Sequence, residues 1–264
     1  MTRGVLSRAF RELERSAVGW AIAVVGVSLL YAAFYPSIRD SAAQLSDYMD
    51  KLPEAVKSVI GADYTTPAGY LRSELFSSLG IILFLIFAIG AGSRAIAGEE
   101  ERRTLDLVLS TPVRRRTLIT DKSLAIAVTT FALAGVLFVT TLAAGPLFDL
   151  SVPVPRLVGA CVMLALLAIS FGAIALAVAT ASGRRSLGNA VAGAIAVVSL
   201  VVNALAAQVS GLDPLRPLSP FRWYLDPDPL TTPLRPVNVL VLIGIAVVAF
   251  VVALVAFDRR DLAA

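Results

Sequence analysis

Long apolar runs alternate with short polar segments along the whole chain. Six of these runs are long enough to cross a bilayer as a helix, which takes about 20 residues. Because lipid offers backbone groups no hydrogen-bond partner, we expect each run to be helical. The pattern therefore predicts an all-α polytopic membrane protein that forms one membrane domain over residues 1–264, with spans at about residues 17–35, 75–97, 123–145, 157–181, 187–209 and 237–257.

The residues before the first span, 3–16, predict an N-terminal amphipathic helix. Leu6, Phe10 and Leu13 share one helical face, and arginines occupy the opposite face. Such a helix can lie in the membrane plane, with its guanidinium groups toward anionic lipid headgroups. The alternative is that this segment is the plain start of the first span, preceded by arginines on the inner side.

Two connections are too long to be simple turns. Residues 36–74 predict two short amphipathic helices, with Pro53 in the first turn of the second and Gly61 as its end. The sequence leaves open whether this outer loop covers the bundle as a lid or rests on lipid headgroups. Residues 211–236 contain seven prolines, which favour a stiff, extended loop over a regular helix.

Composition and charge agree with a membrane location. The chain is 57% hydrophobic and 16% charged, against about 25% charged residues in soluble domains. If the N-terminus is inside, the inner side carries 15 of the 23 Lys and Arg residues and the outer side carries 8. The positive-inside rule then predicts a multi-pass protein of the cell membrane with both termini in the cytoplasm. The net charge of +4 comes from the ends of the spans, so no nucleic-acid partner is expected.

Several kinds of chemistry are missing from the sequence. There is no histidine, and the single cysteine, Cys161, excludes a disulfide within the chain and a Cys/His metal site. The two aspartates of the "DPDP" segment fit a proline turn better than a metal site. None of the three lysines, Lys51, Lys57 and Lys122, follows a phosphate-binding glycine loop, and the span interiors lack the acidic residues of a proton relay. Another subunit would have to supply energy for active transport.

The connection between the second and third spans combines charge with an apolar stripe. It reads "GEEERRTLDLVLSTPVRRRTLITDK", with acidic residues first and basic residues last. Leu105, Val108 and Leu109 follow helical spacing, and Pro112 comes after the helix end. Such a helix suits a groove on a partner protein, and it equally suits the lipid surface.

This stretch resembles the corresponding connection in permease subunits of ABC exporters of the type-2 class. The shared pattern is a glycine, acidic residues, Thr-Leu, a hydrophobic pair, Ser/Thr-Pro, basic residues and a lysine that re-enters the membrane. One departure is Arg103, where a small residue usually precedes Thr-Leu. Weaker likeness extends to the amphipathic start, the six spans, "SGRRS" and "LSPFRWY". The matching positions are Gly98, Glu99 to Glu101, Thr104, Leu105, Leu107 to Leu109, Ser110 to Pro112, Arg114 to Arg116 and Lys122.

The resemblance implies a specific role for this connection. Residues 99–112 would be the coupling helix, which sits in a cleft of a cytosolic ATPase subunit, and residues 3–16 would be the elbow helix. The chain would hold no cofactor and catalyse nothing, because Mg-ATP would be bound by the partner. The implied ATPase-binding residues are Gly98, Glu99, Glu100, Glu101, Thr104, Leu105, Val108, Leu109, Pro112 and Arg114, with Arg184 and Arg185 from the shorter inner loop.

The resemblance also implies an assembly and a cargo. Two permease chains, identical or paralogous, would join two ATPase subunits, surrounded by membrane lipids, to export a hydrophobic or amphipathic cargo such as a drug, as in multidrug efflux, an antibiotic peptide or a lipid. Phe84, Phe87 and Asn203 are candidates to line the pathway, although helix packing explains them equally well. Two other readings stay open: a membrane-embedded lipid-modifying enzyme and a non-transporting anchor for a cytosolic partner.

Overall fold

The computed structural model describes residues 2–41, 66–101, 114–206 and 209–259. Within these ranges every regular element is a helix, and six helices are long and apolar enough to cross a membrane. This confirms the predicted all-α polytopic fold. The α-helices are α1 Thr2–Asp40, α2 Pro67–Leu71, α3 Gly80–Arg94, α4 Ala97–Glu101, α5 Arg115–Phe148, α6 Val154–Ser182, α7 Arg185–Ala206, α8 Pro220–Leu225 and α9 Pro236–Arg259, together with a π-helix, Arg72–Leu79, and a 3₁₀-helix, Ser210–Leu218.

Helix α1 contains both the predicted elbow segment, residues 3–16, and the first span. No proline interrupts residues 2–35, so the amphipathic and apolar parts continue as one helix. Pro36 lies inside α1, which ends at Asp40 rather than at the predicted residue 35. Whether the first part of α1 lies in the membrane plane stays a prediction.

The second span begins earlier than predicted. Thr66 caps α2 by accepting a hydrogen bond from the Gly69 N–H at 3.1 Å, and Pro67 occupies the first turn. The π-helix then joins α2 to α3, and the Gly80 N–H donates to the Leu75 carbonyl across its last turn. The outer loop is therefore shorter at both ends than the predicted residues 36–74. The two amphipathic helices predicted around Pro53 and Gly61 lie outside the described residues.

Helix α6 is the centre of the bundle. It packs against α3, α5, α7 and α9, and α1 packs along α5. At the crossing of α3 and α6 the glycines Gly92 and Gly172 let the backbones approach closely, because a side chain on Gly92 would overlap the carbonyl of Gly172. In the most apolar 18-residue stretches of α1, α7 and α9, only 17%, 22% and 17% of the residues are buried. Their remaining apolar surface faces outward, as a lipid-exposed surface requires.

The proline-rich connection is folded, so the predicted extended loop is wrong. It contains the 3₁₀-helix and α8, where Pro220 takes the first helical position, which needs no N–H donor. Phe221 packs against Phe171 on α6, with ring centroids 5.6 Å apart. The Tyr224 hydroxyl donates a hydrogen bond to the Phe76 carbonyl at 2.6 Å. Residues 220–225 therefore enter the helical bundle rather than extending away from it.

Candidate functional site

Five parts of the chain meet at one end of the bundle: the start of α1, helix α4, the start of α5, the α6–α7 turn and the end of α9. We call it the terminal end, because the N-terminal helix begins there and the last described helix ends there. An ion pair between Arg116 and Asp258, 2.7 Å from Nε to Oδ2, joins the start of α5 to the end of α9. The residues predicted to contact an ATPase that the structure describes lie at this end: Gly98 to Glu101, Arg114, Arg184 and Arg185.

Lys122 is the central charge of the terminal end. Its Nζ lies 2.7 Å from Glu99 Oε1 on α4 and 3.5 Å from Glu12 Oε2 on α1. The side chain of Lys122 is 8% exposed and that of Glu99 is 12% exposed. A charge so far from water requires an opposite charge beside it. Lys122 therefore ties together α1, α4 and α5.

A second contact ties α4 to α7. The backbone N–H of Arg185 donates to Glu101 Oε1 at 3.0 Å, and the Arg185 Nε lies 4.0 Å from Glu101 Oε2. The carboxylate of Glu101 thus sits at the N-terminus of α7, where the helix dipole and the unused N–H groups favour a negative charge. Gly183, with φ 67°, makes the turn that places Arg184 and Arg185 next to α4.

The structure brings together the two regions that were predicted to bind an ATPase. Gly98 to Glu101 form most of α4, Arg114 precedes α5, and Arg184 precedes Arg185, the first residue of α7. The other predicted positions lie outside the described residues, so the coupling helix 99–112 stays a prediction beyond Glu101: these are Thr104, Leu105, Val108, Leu109 and Pro112.

Lys122 matches the family pattern but was not among the predicted site residues. The sequence could have indicated that Lys122 forms an ion pair, since a lone lysine at the edge of an apolar span requires a partner. Glu12 could not be identified as that partner, because 110 residues separate the two. Glu99 was predicted to contact the ATPase, and the structure gives it a contact within the chain.

The three predicted pathway residues are buried in the chain. Phe84 and Phe87 are 2% and 1% exposed, and the ring of Phe87 packs edge-on against Trp20 with centroids 6.2 Å apart. Packing, the alternative that the sequence left open, accounts for both rings. Asn203 on α7 is 9% exposed, and its Oδ1 has no hydrogen-bond partner in the described part of the chain. A pathway role for these residues stays a prediction.

The fold and the terminal end define a class: an integral membrane protein whose charged end is cross-linked by ion pairs between helices. A family model described as ABC-2 family transporter protein matches residues 5–262. The chain belongs to this family, which confirms the resemblance seen in the sequence. It is the membrane permease component of an ABC transporter and is not itself catalytic, and the family associates in general with an ABC ATPase. No protein with a curated description matches the chain.

Proposed function

We propose that the chain is the permease subunit of an ATP-driven ABC exporter in the cell membrane, with its terminal end in the cytoplasm. Separate cytosolic ATPase subunits bind Mg-ATP, and a second permease chain, identical or paralogous, completes the pathway. The cargo is hydrophobic or amphipathic, such as a drug, an antibiotic peptide or a lipid. The predominance of Lys and Arg at the terminal end supports this orientation.

The observation that carries the proposal is the attachment of α4. Glu99 joins it to Lys122 on α5, and Glu101 joins it to the start of α7. Residues 102–113 follow α4 directly in the chain. A force applied to that segment by an ATPase would therefore reach several spans together instead of bending one loop.

This attachment suits a rigid-body mechanism. Closure of the ATPase pair around ATP pushes the coupling helices, and the two permease chains move from an inward-facing to an outward-facing arrangement. Hydrolysis of ATP resets them. The chain itself contributes the pathway and the connection to the ATPase, and the reacting phosphates stay in the partner.

The test is association and transport in proteoliposomes that contain the permease and its ATPase. Replacing Leu105 with Ala and Glu100 with Gln removes the central apolar contact and one acidic charge of the predicted coupling helix. We expect the affinity for the ATPase to fall at least tenfold, which corresponds to about 1.4 kcal/mol of binding free energy. Cargo-stimulated ATP hydrolysis should fall with it. Val198→Ala is the control, because Val198 is 60% exposed on α7 and lies away from the terminal end.

The same assay separates the exporter from the other two readings. Full retention of assembly and transport in the Leu105/Glu100 variant would remove the coupling-helix assignment. A non-transporting anchor would bind the ATPase, yet no cargo would stimulate hydrolysis. A lipid-modifying enzyme would convert lipid in the absence of the ATPase.

A further inference from the structure

A cavity of about 1140 Å³ lies at the terminal end. One wall is the first part of α1, and the facing wall is the end of α3 together with α4. Lys122 and Ile126 of α5 and Arg185 of α7 complete its lining. Val18 on α1 lines the cavity and is 56% exposed, so this part of the lining reaches the outer surface of the bundle.

The lining of the cavity changes from polar to apolar with depth. Helices α1 and α5 run away from the terminal end and α3 runs toward it, so residue numbers give the depth along each helix. On α1 and α5 the deep level is apolar and consists of Val18 and Ile126. About one helical turn nearer the terminal end, roughly 5 Å, these two helices carry the cations Arg15 and Lys122, whereas the Arg94 guanidinium reaches back along α3 to the level of Gly90.

The cavity also has an excess of positive charge. Six basic and four acidic side chains line it. Three of the acidic groups pair with cations of the cavity itself: Glu12 with Arg8 and Lys122, Glu99 with Lys122, and Glu101 with Arg185.

Two cations at the cavity remain available for a ligand. Arg11 and Arg15, one turn apart on α1, are exposed and form no ion pair with any residue that the structure describes. Glu12 and Glu14 lie beside them on the same helix, and Glu12 is already paired with Arg8 and Lys122. Across the cavity, Arg94 donates from its Nε to the Gly90 carbonyl at 2.8 Å, which holds its side chain along α3.

We propose that this cavity binds an anionic phospholipid of the surrounding leaflet. The phosphate lies among Arg11, Arg15 and Arg94, since guanidinium groups match phosphate oxygens in pairs of hydrogen bonds. The acyl chains leave over Val18, which is apolar and 56% exposed. A soluble anion would contact the cations of the cavity but would leave its apolar lining without a partner, whereas a lipid contacts both. The inference goes beyond the proposed transport function and does not depend on it.

The test measures lipid binding by the purified full chain without ATPase or ATP. The chain in nonionic detergent is titrated with phosphatidylglycerol or phosphatidylcholine, and bound lipid is counted by native mass spectrometry. We expect one phosphatidylglycerol to bind more tightly than phosphatidylcholine. Arg11→Gln/Arg15→Gln should weaken phosphatidylglycerol binding by about 25-fold, because a basic residue near an anionic lipid contributes about fivefold.

Matched variants distinguish binding in the cavity from unspecific attraction of anionic lipid by positive charge elsewhere on the chain. Arg235→Gln/Arg259→Gln removes the same charge from exposed positions outside the cavity and should leave the affinity unchanged. Arg11→Lys/Arg15→Lys keeps the charge and should keep most of the binding. Millimolar inorganic phosphate should not displace the lipid. Equal affinities for the two lipids, equal losses in the two Gln variants, or displacement by phosphate would each overturn the proposal.

Discussion

At the scale of single residues, the ion group of Lys122, Glu99 and Glu12 contains a buried pair, Lys122 and Glu99. Removing one partner of a buried pair costs about 3–5 kcal/mol, because the other charge stays away from water. We therefore expect Lys122→Met to lower the thermal unfolding midpoint of the detergent-solubilised chain and to loosen α4. The side chain has nearly the same length, so the lost charge dominates the effect.

Two further variants test the origin of this loss. Lys122→Met/Glu99→Gln removes both buried charges and should recover part of the stability. Arg8→Met breaks the Arg8–Glu12 pair, in which the side chains are 58% and 43% exposed, and should cost at most about 1 kcal/mol. Equal losses in Lys122→Met and Arg8→Met would show that burial of the pair is unimportant.

Tyr224 makes a second prediction at the residue scale. Burial, with smaller contributions from the Cys161 thiol and the Asp228 carboxylate, raises the pKa of Tyr224 well above its ordinary value of 10.0. The hydroxyl therefore stays protonated and keeps donating to the Phe76 carbonyl. Tyr224→Phe removes this hydrogen bond, at a cost of about 0.5–1.5 kcal/mol, measured by thermal unfolding at pH 7.

The pH dependence of this contribution has a definite sign. The folded chain holds the Tyr224 proton more tightly than the unfolded chain, so the stabilisation is complete below pH 10 and declines as the pH rises further. The difference in unfolding midpoint between the original chain and Tyr224→Phe should therefore be constant from pH 7 to 9 and become smaller above 10. A difference that grows in that range would contradict the burial of the hydroxyl.

At the scale of elements, the close crossing of α3 and α6 depends on glycine. A Cβ at Gly92 would overlap the Gly172 carbonyl, so Gly92→Ala must push the helices apart. Forcing extra atoms into a packed contact typically costs about 1–3 kcal/mol. Gly90→Ala on the same helix is the control: its Cβ would meet only the Arg94 guanidinium, at 3.8 Å. Gly90→Ala should not destabilise the chain, because alanine favours the helix over glycine by about 1 kcal/mol. Thermal unfolding should therefore show destabilisation for Gly92→Ala alone.

The spans could be predicted from the sequence because their signal is local. An uninterrupted apolar run identifies a helix such as α6 without knowledge of its neighbours. The fold of residues 210–225 could not be predicted in this way. Local proline density argued against helix, while burial of Phe221 and Tyr224 in the bundle stabilises it. That burial depends on contacts with residues far away in the sequence.

At the scale of the whole molecule, the sequence indicated where the charged groups gather, but not how they pair. Six runs that alternate in direction predict that residues 98–122 and 182–185 lie at one end of a bundle. The contacts of Glu101 with Arg185 and of Lys122 with Glu12 depend on helix rotation and on which spans are neighbours. Those properties arise from packing around α6, and the hydropathy pattern does not contain them.

The orientation of the molecule can be tested by introducing cysteines at the surface, because the single cysteine of the chain is buried. Cys161 is 4% exposed, so a polar maleimide should react only with a cysteine introduced at the surface. Arg184 at the terminal end and Arg235 at the opposite end are both exposed. With the terminal end in the cytoplasm, Arg235→Cys should be labelled by an impermeant maleimide in intact cells, and Arg184→Cys only after permeabilisation. The reverse pattern would place the predicted coupling helix outside the cell, beyond the reach of any cytosolic ATPase, and the exporter mechanism could not operate.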